Sequence, residues 1–294
     1  MPSLIVRKQD GSLLFNTDYI TYGLVKSGYL ALAETWSRRY LRSANLDPND
    51  GSNWSASTVA ADGAGDRVWS FTLANAQSPI VFLTGSGTLN GTARSGNTMT
   101  FYYSNASTST RFYCFDLMSD NIAGSPPYLK MRRQDGTLTF NSLQVPLNIV
   151  GAYTPPGPSA LNTFGRYYYA YDGGYNRKRQ YASGPAPSQM DCGYDINLDP
   201  NTEYAACLPW SRSATVMETN PSDGYTGPAT QYNTVEGAFG RVGGISFLFG
   251  ASAGTPQALP GGFNGIPASY SSIATDRIPQ ALVIKTANLP MPYR

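Results

Sequence analysis

One short segment of this sequence occurs twice, and this repetition constrains the fold more than any other feature. The segment Leu4-Ile-Val-Arg-Lys-Gln-Asp-Gly-Ser-Leu-Leu-Phe-Asn16 returns 125 positions later as Leu129-Lys-Met-Arg-Arg-Gln-Asp-Gly-Thr-Leu-Thr-Phe-Asn141. A chain of 294 residues holds about two domains of ordinary size. The sequence therefore predicts two related units in tandem, a first unit of residues 1–124 and a second unit of residues 125–294.

Three weaker matches follow in the same order along the chain: Asn45–Asn49 with Asn197–Asn201, Ile80–Gly85 with Ile245–Gly250, and Phe112–Met118 with Ala281–Ala287. The first two of these lie 152 and 165 positions apart. Because the separation grows, the second unit should have gained residues. The first gain coincides with a tyrosine-rich insert at about 164–190, and the Pro126-Pro127 pair suits a short stiff linker between the units.

Both units are expected to begin with a β-hairpin. An Asp-Gly pair between apolar runs is a strong hairpin signal, since glycine accepts a positive φ without a clash. Further runs of β-branched and aromatic residues, such as Arg67–Leu73 and Met99–Tyr103, are separated by Gly, Asn, Ser and Pro clusters. This pattern predicts an all-β fold of two tandem β-sandwiches with little helix. Only Gly28–Trp36 fits a short helix as well as a strand.

Composition narrows the classes of function. Charged residues make up 14% of the chain, well below the usual share of about 25%, and the net charge is +2. Such a surface does not suit a general nucleic-acid binder, and no apolar run reaches the roughly 18 residues of a membrane span. Histidine, the usual proton shuttle and metal ligand, is absent. We therefore expect a protein without enzymatic activity or cofactor, with no nucleic-acid partner and no membrane insertion.

The cysteines and the amino terminus bear on the compartment. Cys114, Cys192 and Cys207 form no CxxC motif, and an odd number argues against a disulfide framework. The first eight residues lack the pattern of a secretion signal. We expect synthesis in a reducing cytoplasm, with a Cys192–Cys207 disulfide as the alternative.

Three sequence patterns resemble catalytic or metal-binding motifs, but each lacks residues that the corresponding activity requires. Gly250-Ala-Ser-Ala-Gly254 matches the nucleophile elbow GxSxG, but the usual histidine base is missing and a proline-containing run follows, so a turn is expected. Asp195–Asn201 alternates oxygen ligands as calcium loops do, without the glycine and glutamate that such loops require. The four glutamates are Glu34, Glu203, Glu218 and Glu236, and their spacing identifies no glycosidase acid.

The tyrosine-rich segment 164–181 is the most unusual part of the chain. Tyrosine and arginine are enriched at binding hot spots, and tyrosine gives a large contact area at a small entropic cost. The predicted interaction residues are Tyr167, Tyr168, Tyr169, Tyr171, Tyr175, Arg177, Lys178, Arg179 and Tyr181. Another protein subunit is the favoured partner, a stacked sugar or single strand is an alternative, and an ordinary loop folded on its own sandwich is the plain interpretation.

Several stretches resemble minor tail proteins of long non-contractile-tailed bacteriophages. The resemblance lies mainly in residues 2 to about 150, on Pro2–Asn16, Ile20–Gly28, Leu41–Asp50, Pro79–Leu83 and Arg111–Asp116. Such proteins belong to the tail tip or baseplate, where they surround the hub and central fibre or carry receptor-binding parts. The resemblance implies no cofactor and no reaction, and the second unit departs from it most.

We therefore expect a structural protein of a phage tail tip that contacts hub, fibre or distal tail proteins in the virion. Closed symmetry is the default for homo-oligomers, and the resemblance favours a trimer. Two alternatives remain. One is a receptor-binding protein that attaches to a host glycan through the tyrosine-rich segment with Tyr102 and Tyr103. The other is a polysaccharide depolymerase that uses two carboxylates.

Overall fold

The computed structural model describes residues 5–16, 19–42, 46–47, 49–57, 66–120, 126–179, 189–218, 230–255 and 268–294. Within these ranges nearly all regular structure is β, as the sequence predicts, and the one helical element is the short 3-10 turn Gly51–Asn53. The stretch Gly28–Trp36 forms strand rather than helix. No helix in these ranges is long and apolar enough to cross a membrane.

The strands of the first unit are β1 (Ile5–Arg7), β2 (Leu13–Asn16), β3 (Tyr22–Tyr29), β4 (Ala31–Trp36), β5 (Arg38–Leu41), β6 (Trp54–Ser57), β7 (Asp66–Leu73), β8 (Ile80–Thr84), β9 (Thr88–Ser95), β10 (Thr98–Ser104) and β11 (Arg111–Leu117). Those of the second unit are β12 (Lys130–Arg132), β13 (Leu138–Asn141), β14 (Gly151–Tyr153), β15 (Tyr175–Arg179), β16 (Gln189–Asn197), β17 (Tyr204–Cys207), β18 (Ser213–Glu218), β19 (Thr230–Arg241), β20 (Gly244–Ala251), β21 (Ser269–Ser271) and β22 (Ala281–Lys285).

The strand pairing of the first unit recurs in the second. In the first unit, β3-β11-β8 lie side by side, and β4-β7-β10-β9 form a separate sheet. In the second unit, β14-β22-β17 and β15-β16-β20-β19 follow the same two orders. Strands β18 and β21 extend the second unit beyond this shared plan. This recurrence is what a duplication would produce, and the duplication itself stays a prediction.

The two hairpins that begin the units match in detail. Val6 lies opposite Phe15, Met131 lies opposite Phe140, and each hairpin has a bulge one residue later. The turn glycines, Gly11 and Gly136, have φ of +83° and +84°, the left-handed region in which glycine is not strained. The repeated Asp-Gly signal therefore encodes the same local structure twice.

One of the weaker sequence matches does not join strands that occupy the same position in the two units. Ile80–Gly85 contains β8, whereas Ile245–Gly250 lies in β20, which occupies the position of β10. Residues 30–65 and 154–188 connect corresponding strands and are nearly equal in length. The stretch that contains the tyrosine-rich residues thus has about the same length as its counterpart in the first unit, and that it is an insert stays a prediction.

The two units share one central sheet, β3-β11-β8-β17-β22-β14. Successive side chains of a strand point to opposite faces, and both faces of this sheet are buried. Phe112 and Leu83 pack toward the sheet of the first unit, and Val283 packs toward that of the second. On the other face, Tyr113 and Ile284 belong to a core that both units build together. The predicted boundary at 124/125 falls between β11 and β12.

The junction requires close backbone contact. The amide of Gly85 donates to the carbonyl of Gly240 at 2.9 Å. A Cβ at Gly240 would lie 1.9 Å from the carbonyl oxygen of Tyr204, so only glycine fits there. Arg111 of the first unit also forms an ion pair with Glu203 of the second. These contacts fix the position of one unit on the other.

Candidate interaction surface

The tyrosine-rich segment begins with a tight turn. The amide of Asn162 donates to the carbonyl of Arg166 at 2.7 Å, and Leu161 bridges to Tyr167. The side-chain oxygen of Asn162 accepts from the amides of Phe164 and Arg166, both at 3.0 Å. Because the buried Asn162 satisfies the backbone of the turn, residues 161–167 have a fixed conformation.

The turn is attached to the sheet of the second unit. Tyr167 and Tyr270 of β21 exchange two backbone hydrogen bonds of 2.8 and 2.7 Å. The Nε of Arg166 donates to the hydroxyl of Ser269 at 2.9 Å, and burial lowers the pKa of the Arg166 guanidinium below its ordinary value. Tyr167 is half-buried in this arrangement. The segment is therefore a structured part of the sandwich.

Tyr171 is a core residue rather than the surface residue that the sequence predicts. Its side chain is fully buried, and its hydroxyl donates to Oε1 of Glu236 at 2.9 Å. Burial, together with the charge of Glu236, raises the pKa of Tyr171 well above its ordinary value. Its ring packs against Phe249 in the core of the second unit, so it is not accessible to a partner.

Several neighbouring rings are exposed. Tyr168, Tyr169 and Tyr175, all predicted interaction residues, are 46%, 39% and 42% exposed. Leu161 and Phe164, which were not among the predicted site residues, are 57% and 52% exposed. Their position on an Asn-x-x-Gly turn is the sequence signal that could have indicated them. We call these five side chains the aromatic surface.

The basic end of the segment is strand β15, at the edge of its sheet. The guanidinium of Arg177 is half exposed and lies 3.7 Å from the buried carboxylate of Asp191. Lys178 and Arg179 pair through their backbones with Met190 and Gln189 of β16. Their side chains, and the whole of Tyr181, lie outside the described part of the chain.

Tyr175 has a polar anchor on the neighbouring strand. Its hydroxyl lies 3.4 Å from both carboxylate oxygens of Asp195, whose Oδ1 also accepts from Ser246 at 2.5 Å. Burial and the nearby charge of Asp195 raise the pKa of Tyr175. The ring is thus held in place although part of its face remains exposed.

The two tyrosines invoked for receptor binding differ. Tyr103 is 4% exposed and lies in the core of the first unit. Tyr102 is half-buried, and its ring centroid lies 6.1 Å from that of Trp36. Only Tyr102 is near a surface that a ligand could reach.

The three glutamates with described side chains lie in different environments. Glu34 is exposed on β4, whereas Glu236 is fully buried against Arg212. Burial raises the pKa of Glu203, but hydrogen bonds from Arg111 and Thr286 outweigh this, so the net shift is downward. A general acid needs the opposite shift. The side chain of Glu218 lies outside the described residues.

The alternating oxygens of Asp195–Asn201 have protein partners. Asp195 accepts from Ser246, Asn197 accepts from Arg241 at 2.6 Å, and Asp199 accepts from Thr202 at 2.7 Å. Among the described residues, no three or more His, Cys, Asp or Glu side chains are placed to hold a metal ion. Within the repeated Asn-Leu-Asp-Pro-Asn motif, the carboxylate of Asp47 accepts from the amide of Asn49, and that of Asp199 accepts in the same way from the amide of Asn201.

The GxSxG motif is a turn that joins the two units. Strand β20 ends at Ala251, and the amide of Ala253 donates to Asn90 of the first unit at 2.9 Å. The amide of Gly254, which has φ of +69°, donates to Asp66 at 3.0 Å. The motif therefore positions backbone at the junction rather than a nucleophile.

The three cysteines are free and buried. Cys192 and Cys207 therefore do not form the disulfide that was the alternative. Burial raises the pKa of the Cys192 thiol to about 11 and that of Cys207 to about 12. All three thiols act as small apolar side chains of the cores.

Comparisons with known proteins add no assignment: no family model, no curated protein and no solved structure matches this chain.

Proposed function

We propose that the chain is a non-enzymatic structural protein of a phage tail tip or baseplate, attached to another tail protein through the aromatic surface. The location in a tail tip or baseplate is proposed because residues 2 to about 150 resemble minor tail proteins. The attachment rests on Leu161, Phe164, Tyr168, Tyr169 and Tyr175.

The observation that carries this proposal is the exposure of five large side chains: Leu161 and Phe164 on the fixed turn, Tyr168 and Tyr169 directly after it, and Tyr175 on β15. Exposed patches of large apolar side chains are unusual on an isolated soluble protein and mark contact sites. Because Asn162 and Arg166 fix the turn, little conformational entropy is lost when a partner covers it. Tyrosine adds both apolar area and a hydrogen-bonding group.

The low charge supports permanent assembly. A surface with few ionisable groups can be buried against neighbours with little desolvation of charge. The shared central sheet gives a rigid body on which separate faces can contact separate partners. We propose a closed homo-oligomer, with a trimer around the tail axis, in contact with hub, fibre or distal tail proteins.

The test uses tails assembled in a host that lacks this chain, to which the purified full chain or a variant is supplied. We expect the wild type to be incorporated and Phe164→Ala/Tyr168→Ala to be lost from purified tails. Tyr29→Ala, which removes a ring 58% exposed on β3, serves as the matched control. Light scattering of the free chain measures the oligomer. Absence of the wild type from tails, or equal incorporation of the double variant, would overturn the proposal.

A further inference from the structure

A groove of about 520 Å³ lies where the two units meet. Its volume is within the range of about 300 to 1,000 Å³ that is usual for ligand sites. Outward side chains of the paired strands β18 and β19 line part of it, and residues of β4, β9 and the ends of β20 and β21 line the rest. The six side chains that matter here are Trp36, Asn90, Ser213, Asn233, Ser252 and Ser272.

The ring of Trp36 is placed by both units. It lies at the end of β4, near Tyr102 of the first unit. A Cβ at Gly254 of the second unit would lie 3.3 Å from the Trp36 ring, so the ring packs on this glycine. Trp36 remains half-buried, with part of its surface open to the groove. Trp36 therefore presents a fixed aromatic face to a groove that is lined mainly by polar side chains.

Asn90 is held by the fold, since its side chain accepts from the amide of Ala253 at 2.9 Å, but several other polar groups of the groove have free hydrogen-bonding capacity. Within the described residues, the hydroxyls of Ser213, Ser252 and Ser272 have no hydrogen-bond partner. The amide nitrogen of Asn233 donates to no described protein atom, and its oxygen has only a long 3.4 Å contact with Thr215. Ser272 has φ of +58°, a strained conformation that is common at ligand sites.

From these contacts we infer that the groove binds a neutral oligosaccharide. An aromatic face stacks on the C–H face of a sugar ring, while hydroxyl and amide groups bond its hydroxyls. None of the residues that line the groove carries a charge, which disfavours an acidic glycan. Along the wall formed by β18 and β19 a peptide could not add a strand, because these two strands pair with each other and with β21 and β20.

Part of the groove is formed by strands that do not belong to the strand order shared by the two units. Among the described residues of the first unit, no strand corresponds to β18 or β21, and these two strands bring Ser213 and the adjoining Ser272 to the groove. The groove differs from the aromatic surface, so oligosaccharide binding and tail assembly are independent functions.

The test applies the purified full chain to an array of neutral oligosaccharides of glucan, galactan, mannan and chitin type, with acidic oligosaccharides and unstructured peptides for comparison. A bound sugar is then titrated by tryptophan fluorescence. We expect a neutral oligosaccharide to bind, and Trp36→Ala to weaken binding at least about tenfold. Asn233→Ala, on an exposed face, should weaken it without disturbing the junction of the units.

Trp210→Ala is the matched control, because this tryptophan is 44% exposed and does not line the groove. Phe164→Ala should likewise leave sugar binding unchanged, which distinguishes this groove from the aromatic surface. The inference is overturned if no neutral oligosaccharide binds at millimolar concentration, if only acidic sugars or peptides bind, or if Trp36→Ala and Asn233→Ala, folded as judged by circular dichroism, both bind like the wild type.

Discussion

Glu236 accepts two hydrogen bonds of 2.8 Å from the guanidinium of Arg212, and both side chains are completely buried. Tyr171 donates a third bond to the same carboxylate, and the guanidinium also lies over the ring of Phe249. A buried charge is tolerated only when its partner and hydrogen bonds are present. This network therefore ties β19, the loop before β18 and the tyrosine-rich segment into one core.

The first prediction concerns the charge of Glu236. Glu236→Gln leaves the buried Arg212 without a counter-charge, and we expect a loss of about 3 to 5 kcal/mol in the free energy of unfolding. Urea unfolding followed by fluorescence measures this. Glu34→Gln, on an exposed strand, should change stability by less than about 0.5 kcal/mol. Equal effects of the two substitutions would contradict the buried network.

The second prediction separates buried from exposed tyrosines. Tyr171→Phe removes one hydrogen bond to an ionised acceptor and should lower stability by about 1.5 to 3 kcal/mol. Tyr168→Phe removes a hydroxyl from an exposed ring and should leave stability unchanged. Thermal unfolding of the two variants side by side decides the matter, and a destabilised Tyr168→Phe would argue against the exposed position.

The third prediction tests the junction of the units. Gly240→Ala places a methyl group against the backbone of Tyr204, so we expect a loss of about 3 kcal/mol or more, since backbone cannot move aside as a side chain does. At Gly157, a Cβ would meet only Ile278 at 3.9 Å, and Gly157→Ala should be nearly neutral. Calorimetry measures both. A mild Gly240→Ala would mean that the units do not meet as described.

The fourth prediction concerns pH and thiol reactivity. Burial raises the folded-state pKa of Cys192 to about 11 and of Cys207 to about 12, from an ordinary value of 9.0. The stability that these neutral thiols contribute is complete below about pH 9 and is lost as the pH rises toward 11 and 12, because the unfolded thiols ionise first.

At pH 8 the folded chain should therefore react very slowly with a thiol reagent, whereas the unfolded chain in guanidinium should release three equivalents. Absorbance with Ellman's reagent measures both states. Rapid reaction of the folded chain, or one equivalent after unfolding without reductant, would contradict buried free thiols.

Local patterns in the sequence were sufficient to predict many of the strands and turns. The Asp-Gly turns predicted both opening hairpins, because glycine at Gly11 and Gly136 relieves a clash within a few residues. The Asn-Leu-Asp-Pro-Asn motif predicted a repeated turn for the same local reason. Runs of β-branched and aromatic residues predicted the strands but not their partners, since pairing joins residues as distant as Leu83 and Ala206.

The candidate sites were less accessible to sequence reasoning. The run of tyrosines suggested an interaction surface. The local sequence does not, however, distinguish Tyr168, which is exposed, from Tyr171, which is buried and donates a hydrogen bond to Glu236. The groove at Trp36 could not be predicted from the sequence, although Ser252 of the GxSxG pattern lines it, because residues from both units come together there only after the units have joined.

By itself, the sequence determined that this chain is all-β, that its opening hairpin is built twice, and that its surface carries few charges, because these properties depend on neighbouring residues and on composition. Only the tertiary structure decided that the two units share a central sheet, that Tyr171 is buried, and that Trp36 faces polar groups of the other unit. Such features depend on contacts between distant parts of the chain, and these contacts are set by packing and close backbone approach rather than by local preference.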